Sequence, residues 1–122
     1  MELIEISNPD ESDPIMAILR GVAMKSDLKF KVGACLIKRG RILAVGNNKR
    51  KTHPFYGSKA GYMTLHAEGD LLYNCQKLGI DTKGATIIVY RKNGLNAKPC
   101  PACEKLIKKA GIKEVHYTNH ES

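Results

Sequence analysis

Ala85-Thr86-Ile87-Ile88-Val89-Tyr90 is the stretch that decides the fold. A strand with one wet face alternates apolar and polar residues, whereas a strand covered on both faces reads as a nearly continuous apolar run. This run is of the second kind and predicts a central strand. Upstream, the pattern predicts a helix from Thr64 to about Lys77. Leu65, Leu71 and Leu72 are among its apolar residues, Thr64 is its cap and Leu78-Gly79 its stop. Downstream, Arg91 to Lys98 reads as a loop. Pro101 then opens a helix that runs to about Ala110 and ends at Gly111, and Val115-His116-Tyr117 forms a last short strand. Helix, strand, helix, strand is the alternation that parallel crossover connections produce.

The upstream half completes the picture. Asp13-Pro14 is a helix start, with Asp as cap and Pro in the first turn. Ile15, Ile18, Leu19 and Val22 then form one apolar stripe as far as about Ser26. Val32 to Ile37 reads as a buried strand, Lys38-Arg39-Gly40-Arg41 as a tight turn, and Ile42 to Val45 as the hairpin partner. Gly46-Asn47-Asn48 ends that strand. A polar loop from Lys49 to about Met63 follows, long for a small domain unless it is functional. Residues 1–12 read as an arm without a strong pattern. The expected fold is one domain over residues 1–122, a three-layer α/β/α sandwich on a mixed sheet.

Composition narrows the class. The chain has 122 residues, enough for one core without disulfide staples. No apolar run is long enough to span a bilayer, and the acidic start Met1-Glu2-Leu3-Ile4-Glu5 is unlike a signal peptide. Together these predict a cytoplasmic protein with no membrane partner. Of the four cysteines, Cys35 and Cys75 fall in apolar elements and read as buried thiols. The net charge of +8 is unevenly placed: no acid occurs from Leu28 to Ala67 or from Thr82 to Cys103. That asymmetry suggests an anionic partner such as a phosphate, a nucleotide or a nucleic acid. Charge alone is equally compatible with solubility.

The remaining two cysteines carry chemistry. His66-Ala67-Glu68 is followed by Pro99-Cys100-Pro101-Ala102-Cys103, and both motifs lie at predicted helix starts. His66, Cys100 and Cys103 supply one imidazole and two thiols, three ligands for Zn2+. Three protein ligands leave the fourth tetrahedral position open for water, the layout of a catalytic rather than a structural site. Glu68 is a carboxylate within reach of that water. Positions two apart diverge on a regular helix, but the first turn lets His66 meet the metal while Glu68 meets the water. Helix N-termini also favour thiolates. A lone Cys-x-x-Cys would be weak, and a redox reading of it would leave His66 and Glu68 without a role.

On these residues the chain resembles the cytidine deaminase-like superfamily, whose signature is H-x-E followed by P-C-x-x-C. The form of the cysteine motif and the crossover-like last segment place it near the deoxycytidylate deaminase and tRNA adenosine deaminase branch. The resemblance implies a zinc-dependent hydrolytic deaminase with Glu68 as proton shuttle. Gly46-Asn47-Asn48 resembles the Gly-x-Asn strand end of that branch, which makes Asn48 a sugar or base contact. Ala67 and Pro99 would line the pocket. Relatives often continue with another element after the last strand seen here. The resemblance therefore predicts a sheet short of a fifth strand, with an open edge or a contact between copies; the family commonly forms homo-oligomers.

The loop after Asn48 has no simple counterpart. Lys49, Arg50 and Lys51 are cations suited to phosphate, and His53, Phe55 and Tyr56 offer rings that stack on a base or pack back onto the body. As the link between the Asn48 strand end and the His66 helix, it is expected over the active-site mouth. Arg91, Lys92 and Lys98, on the opposite loop, are further phosphate candidates. Three functions follow. The first is deamination of cytosine in a free nucleotide, deoxycytidylate foremost. The second is editing of cytosine or adenine in single-stranded DNA or tRNA-like RNA. The third is a non-catalytic zinc module, for which His53 is the first suspect as fourth ligand.

Overall fold

The computed structural model describes residues 1–50, 65–92 and 96–120. Its elements are β1 (Glu2–Ser7), α1 (Pro14–Met24), β2 (Val32–Lys38), β3 (Arg41–Asn47), α2 (Ala67–Leu78), β4 (Thr86–Arg91), α3 (Pro101–Lys109) and β5 (Glu114–Asn119). The strands form one sheet in the order β1-β5-β4-β2-β3. The β1, β5 and β4 strands run parallel, while β2 is antiparallel to both β4 and β3. The sheet is therefore mixed, with β4 at its centre.

The near-continuous apolar run of β4 has the predicted cause. Ile87 and Val89 pack with Leu71, Leu72 and Cys75 of α2 and Ile107 of α3. Ile88 and Tyr90, on the opposite face, pack with Met16, Leu19 and Ala23 of α1. Helices on both faces make the three layers. The hairpin between β2 and β3 turns through Arg39 and Gly40, both at positive φ (54° and 75°), which identifies the two-residue turn whose twist matches the strands. Cys35 and Cys75 are buried free thiols.

Three expectations need correction. The first concerns residues 1–12, which contain β1, paired in register with β5 from Glu2↔Glu114 to Ser7↔Asn119. The predicted shortage of a fifth strand is thus met by the N-terminal segment. Its alternation is weak because it is an edge strand, carrying Glu2 and Glu5, and needs only Leu3 and Ile6 for contact with the two cores.

The second concerns α1: Leu19 is buried and Ile15 packs against the same cluster as expected, but Met16 and Ala23 complete the buried row and Ile18 is 46% exposed. The close approach at Gly33 selects this row. A Cβ there would lie 2.6 Å from the Leu19 carbonyl oxygen and 3.0 Å from the Ala23 nitrogen. The third is the start of α2. It begins at Ala67 with His66 as N-cap residue, and Thr64 lies outside the described residues.

Gly46 sets where α2 begins relative to the sheet. A Cβ on it would lie 2.7 Å from Leu71 Cα and 2.9 Å from the Ala67 carbonyl oxygen, so helix backbone rests directly on strand backbone. Gly46→Ala is expected to destabilise the fold by about 1–3 kcal/mol in denaturant unfolding, because neither backbone can yield cheaply. Gly21→Ala is the contrasting case. Gly21 lies inside α1 with nothing within 4 Å of its added Cβ, and a gain of roughly 0.5–1 kcal/mol is expected there.

Candidate metal centre and active site

Two helix starts meet at one edge of the sheet. His66 is the N-cap residue of α2, in extended conformation, and makes no side-chain capping bond. Its ring points instead to α3, with Nδ1 3.2 Å from Cys103 Sγ and 3.6 Å from Cys100 Sγ. Cys100 is the N-cap residue of α3, and its sulfur accepts the Cys103 N–H at 3.5 Å. The ligand atoms of His66, Cys100 and Cys103 lie within 4.8 Å of one another.

These distances test the fit for zinc. Bonds of about 2.0–2.1 Å to nitrogen and about 2.3 Å to sulfur, set at tetrahedral angles, place an N–S pair roughly 3.5 Å apart. The two measured His66–Cys separations bracket that value. Among the described residues this is the one cluster of three or more such ligands. One nitrogen and two sulfurs form a borderline-soft donor set suited to zinc.

Burial governs the electrostatics. Desolvation lowers the His66 pKa and so favours the neutral ring, the form that binds a metal. The Cys103 thiol is pushed up, first by burial and then by the Glu68 carboxyl and Cys100. That direction is the one for the metal-free site, where no cation offsets the cost of burial. Burial also pushes the Glu68 carboxyl up to about 7; the residue is only 5% exposed.

His66, Glu68 and Cys100 share a cavity of about 230 Å³ with Ala67, Asn48 and Arg91. A larger groove of about 730 Å³ lies between α2 and α3 on residues such as Leu72, Ile80 and Leu106 and includes none of these groups, so the smaller cavity is the chemical one. Asn48 is held on two sides: its Oδ1 accepts the Val32 N–H at 2.9 Å, and its Nδ2 donates to the Phe30 carbonyl. Arg91 stands with its guanidinium 4.9 Å from the centre of the Phe30 ring.

The other sequence candidates divide. Ala67 lines the cavity. Pro99 is buried, and its neighbours Ala97, Lys98 and Cys100 make the wall instead. Lys49 is not on the wall, because its ammonium is bonded to the buried Asp70 at 2.6 Å. Arg50 is exposed and also off the wall. Lys51, His53, Phe55 and Tyr56 lie outside the described residues, as does most of the 49–63 loop. Four wall residues escaped the sequence reading as site residues: Phe30, Val32, Asn96 and Ala97. Phe30 carried a usable signal, an aromatic between Lys29 and Lys31 just before a buried strand. Asn96 carried none.

The assembled site defines a class. Over residues 10–119 the chain matches the cytidine and deoxycytidylate deaminase zinc-binding region, and it belongs to that family. Among curated proteins it is similar to ComE operon protein 2 of Bacillus subtilis (strain 168), 32% identical over 97 residues. That match covers 73% of this chain and 48% of the relative, so the chain spans about half the relative's length. Among solved structures it resembles the apo dCMP deaminase of cyanophage S-TIM5, with a TM-score of 0.67 and 31% identity, covering 88% of this chain and 81% of that one. It also resembles a diaminohydroxyphosphoribosylaminopyrimidine deaminase/5-amino-6-(5-phosphoribosylamino)uracil reductase from Thermotoga maritima. There the TM-score is 0.61 and the identity 32%, over 87% of this chain and 28% of that one. No helix among the described residues is long and apolar enough to cross a membrane.

Two outcomes follow from burial. Zinc binding must strip a proton from the buried Cys103 thiol, so affinity in a chelator competition is expected to rise from pH 6 to pH 8, with protons released on binding. In the metal-free protein, Glu68 has a folded pKa near 7 against an ordinary 4.5. The sign follows from linkage: a raised carboxyl pKa removes stability as pH climbs from about 4.5 through 7. Metal-free Glu68→Gln is therefore expected to melt higher than the parent at pH 8 and to match it at pH 4.

Proposed function

We propose that this chain is a zinc-dependent hydrolase that removes the amino group of cytosine in a nucleotide, with deoxycytidylate the first candidate. One observation carries the reading. Beside the His66–Cys100–Cys103 corner, the sole acid on the described cavity wall is the buried Glu68, while Arg91 and Lys98 stand on the same wall. A proton-handling carboxylate deep in the site and cations on the wall suit a base attached to a phosphate.

In this reading His66, Cys100 and Cys103 hold the metal. Zinc bound there supplies a Lewis acid that makes water acidic near neutral pH. Glu68 takes the proton of the attacking water and delivers protons to the ring nitrogen and then to the departing amine. A C–O bond forms at the ring carbon, its C–N bond breaks, and ammonia leaves with the base now a uracil. The first-turn N–H groups near Ala67, not used within α2, orient the water and the base. Asn48, fixed by Val32 and Phe30, presents its remaining amide hydrogen to the sugar or base. Phe30 offers a ring wall, and Arg91 with Lys98 takes the phosphate.

Support for the nucleotide comes from the dCMP deaminase of cyanophage S-TIM5, which has also been solved with dCMP and dUMP bound. The Thermotoga relative is named as a deaminase of a differently substituted pyrimidine, so the fold alone does not choose the substrate.

The test is a mass-spectrometric deamination screen of zinc-loaded protein against cytidine, deoxycytidine, deoxycytidylate, single-stranded DNA and RNA. Conversion of deoxycytidylate is expected, with Glu68→Gln lowering kcat by about 10²–10⁴-fold. Arg91→Ala is expected to raise KM for deoxycytidylate by about tenfold or more and to leave deoxycytidine unchanged, since a charge-assisted hydrogen bond is worth roughly 1.5–3 kcal/mol. Conversion only within a polymer, suppressed by salt, would replace this reading with strand editing.

A further inference from the structure

Asp70 lies one turn inside α2 and is only 4% exposed. A carboxylate that deep requires partners. It has two on a single oxygen: Oδ2 accepts the Lys49 ammonium at 2.6 Å and the Asn47 backbone N–H at 3.0 Å. The Lys49 ammonium also donates to the Asn47 side-chain carbonyl, and the Asn47 amide donates to the Val22 carbonyl at 3.1 Å.

The backbone extends the connection on both sides. Lys49 and Leu65 exchange a reciprocal pair of hydrogen bonds, 2.8 Å each way, and Leu65 is the residue before His66. The Asp70 N–H closes the first turn of α2 on the His66 carbonyl at 2.9 Å. Asn48 stands between Asn47 and Lys49. The pair therefore ties the strand end that holds Asn48 to the helix turn that holds His66 and Glu68, two walls of one cavity.

We propose that Lys49 and Asp70 are a positioning pair that sets the orientation of the His66–Glu68 turn. They touch no reacting atom and act through the turn. The surface pair Lys38–Asp81, at 3.4 Å with Asp81 largely exposed, has no such connection and serves as the internal contrast. The kinetic part of the proposal rests on the deaminase reading above; the metal part does not.

The experiment compares full-length parent, Lys49→Gln, Asp70→Asn, their double variant, Lys49→Arg and Lys38→Gln. Each is loaded with Co2+ and read by its absorption spectrum and by chelator competition. The zinc-loaded forms are then assayed for kcat and KM. Groups that orient a metal ligand commonly change affinity by 10–100-fold. The single variants are expected to weaken Co2+ binding by about tenfold or more, alter the spectrum and lower kcat with KM little changed. The double variant, which leaves two amides to bond and no unpaired charge, is expected to recover most of both. Lys38→Gln should match the parent.

Single variants that fold with parental spectrum, affinity and kcat would overturn the proposal, as would a double variant no better than either single. A raised KM at constant kcat would also overturn it, making Lys49 a substrate contact. If a single variant fails to fold, Lys49→Arg decides, because it keeps the charge and moves its position: a parental spectrum and kcat there would sink the idea. A parent that deaminates nothing would refute the functional reading alone, and the Co2+ measurements would still judge the pair.

Discussion

Backbone rests on backbone where α2 crosses the end of β3, and the site depends on that contact. Gly46 has no side chain to hold the helix off, so Ala67 and Leu71 settle directly on the strand. Asn48 follows two residues later, while His66 and Glu68 stand at the adjoining helix start. The chain needs no long reach to bring these three together. Helix packing ordinarily keeps elements apart by the length of side chains, and removing one Cβ closes that gap where the chemistry is.

A second economy lies in the use of helix ends. Both α2 and α3 begin with a residue that would usually be chosen to satisfy the exposed N–H groups. Here those places hold His66 and Cys100. His66 gives up capping altogether, and Cys100 manages only a long bond from Cys103. The helices start less securely in exchange for a metal corner between them. The resulting burial also makes Glu68 and Cys103 reluctant to ionise without a cation.

Much of this was legible in the residues. The apolar run at 85–90 identified the central strand because covering on both faces leaves a compositional mark. Caps and stops at Asp13, Gly79 and Pro101 located helices because they act within one turn. The His66, Cys100 and Cys103 cluster was readable because few residue types bind zinc and their spacing is short. What escaped depends on tertiary contact. β1 is an edge strand whose partner lies at the far end of the sequence. The α1 stripe was displaced by the approach at Gly33. Lys49 read as a free cation because nothing local announces that Asp70 waits for it, and Phe30 became a wall residue only once Asn48 and Arg91 were placed beside it.

The pairing of β1 with β5 has a consequence for how the molecule comes into being. Register joins Glu2 to Glu114, so β1 has no partner in the sheet until β5, far along the chain, has been made. The β2–β3 hairpin can form from neighbours, but the far edge of the sheet cannot. Contacts so distant along the chain slow folding, since the loop between them must be ordered before the contact repays it. Sheet completion is therefore a late event, and during synthesis the segment 2–7 is a bare strand with Leu3, Ile4 and Ile6 in the open. Glu2 and Glu5 within that same segment supply the charge that discourages it from pairing with another nascent chain.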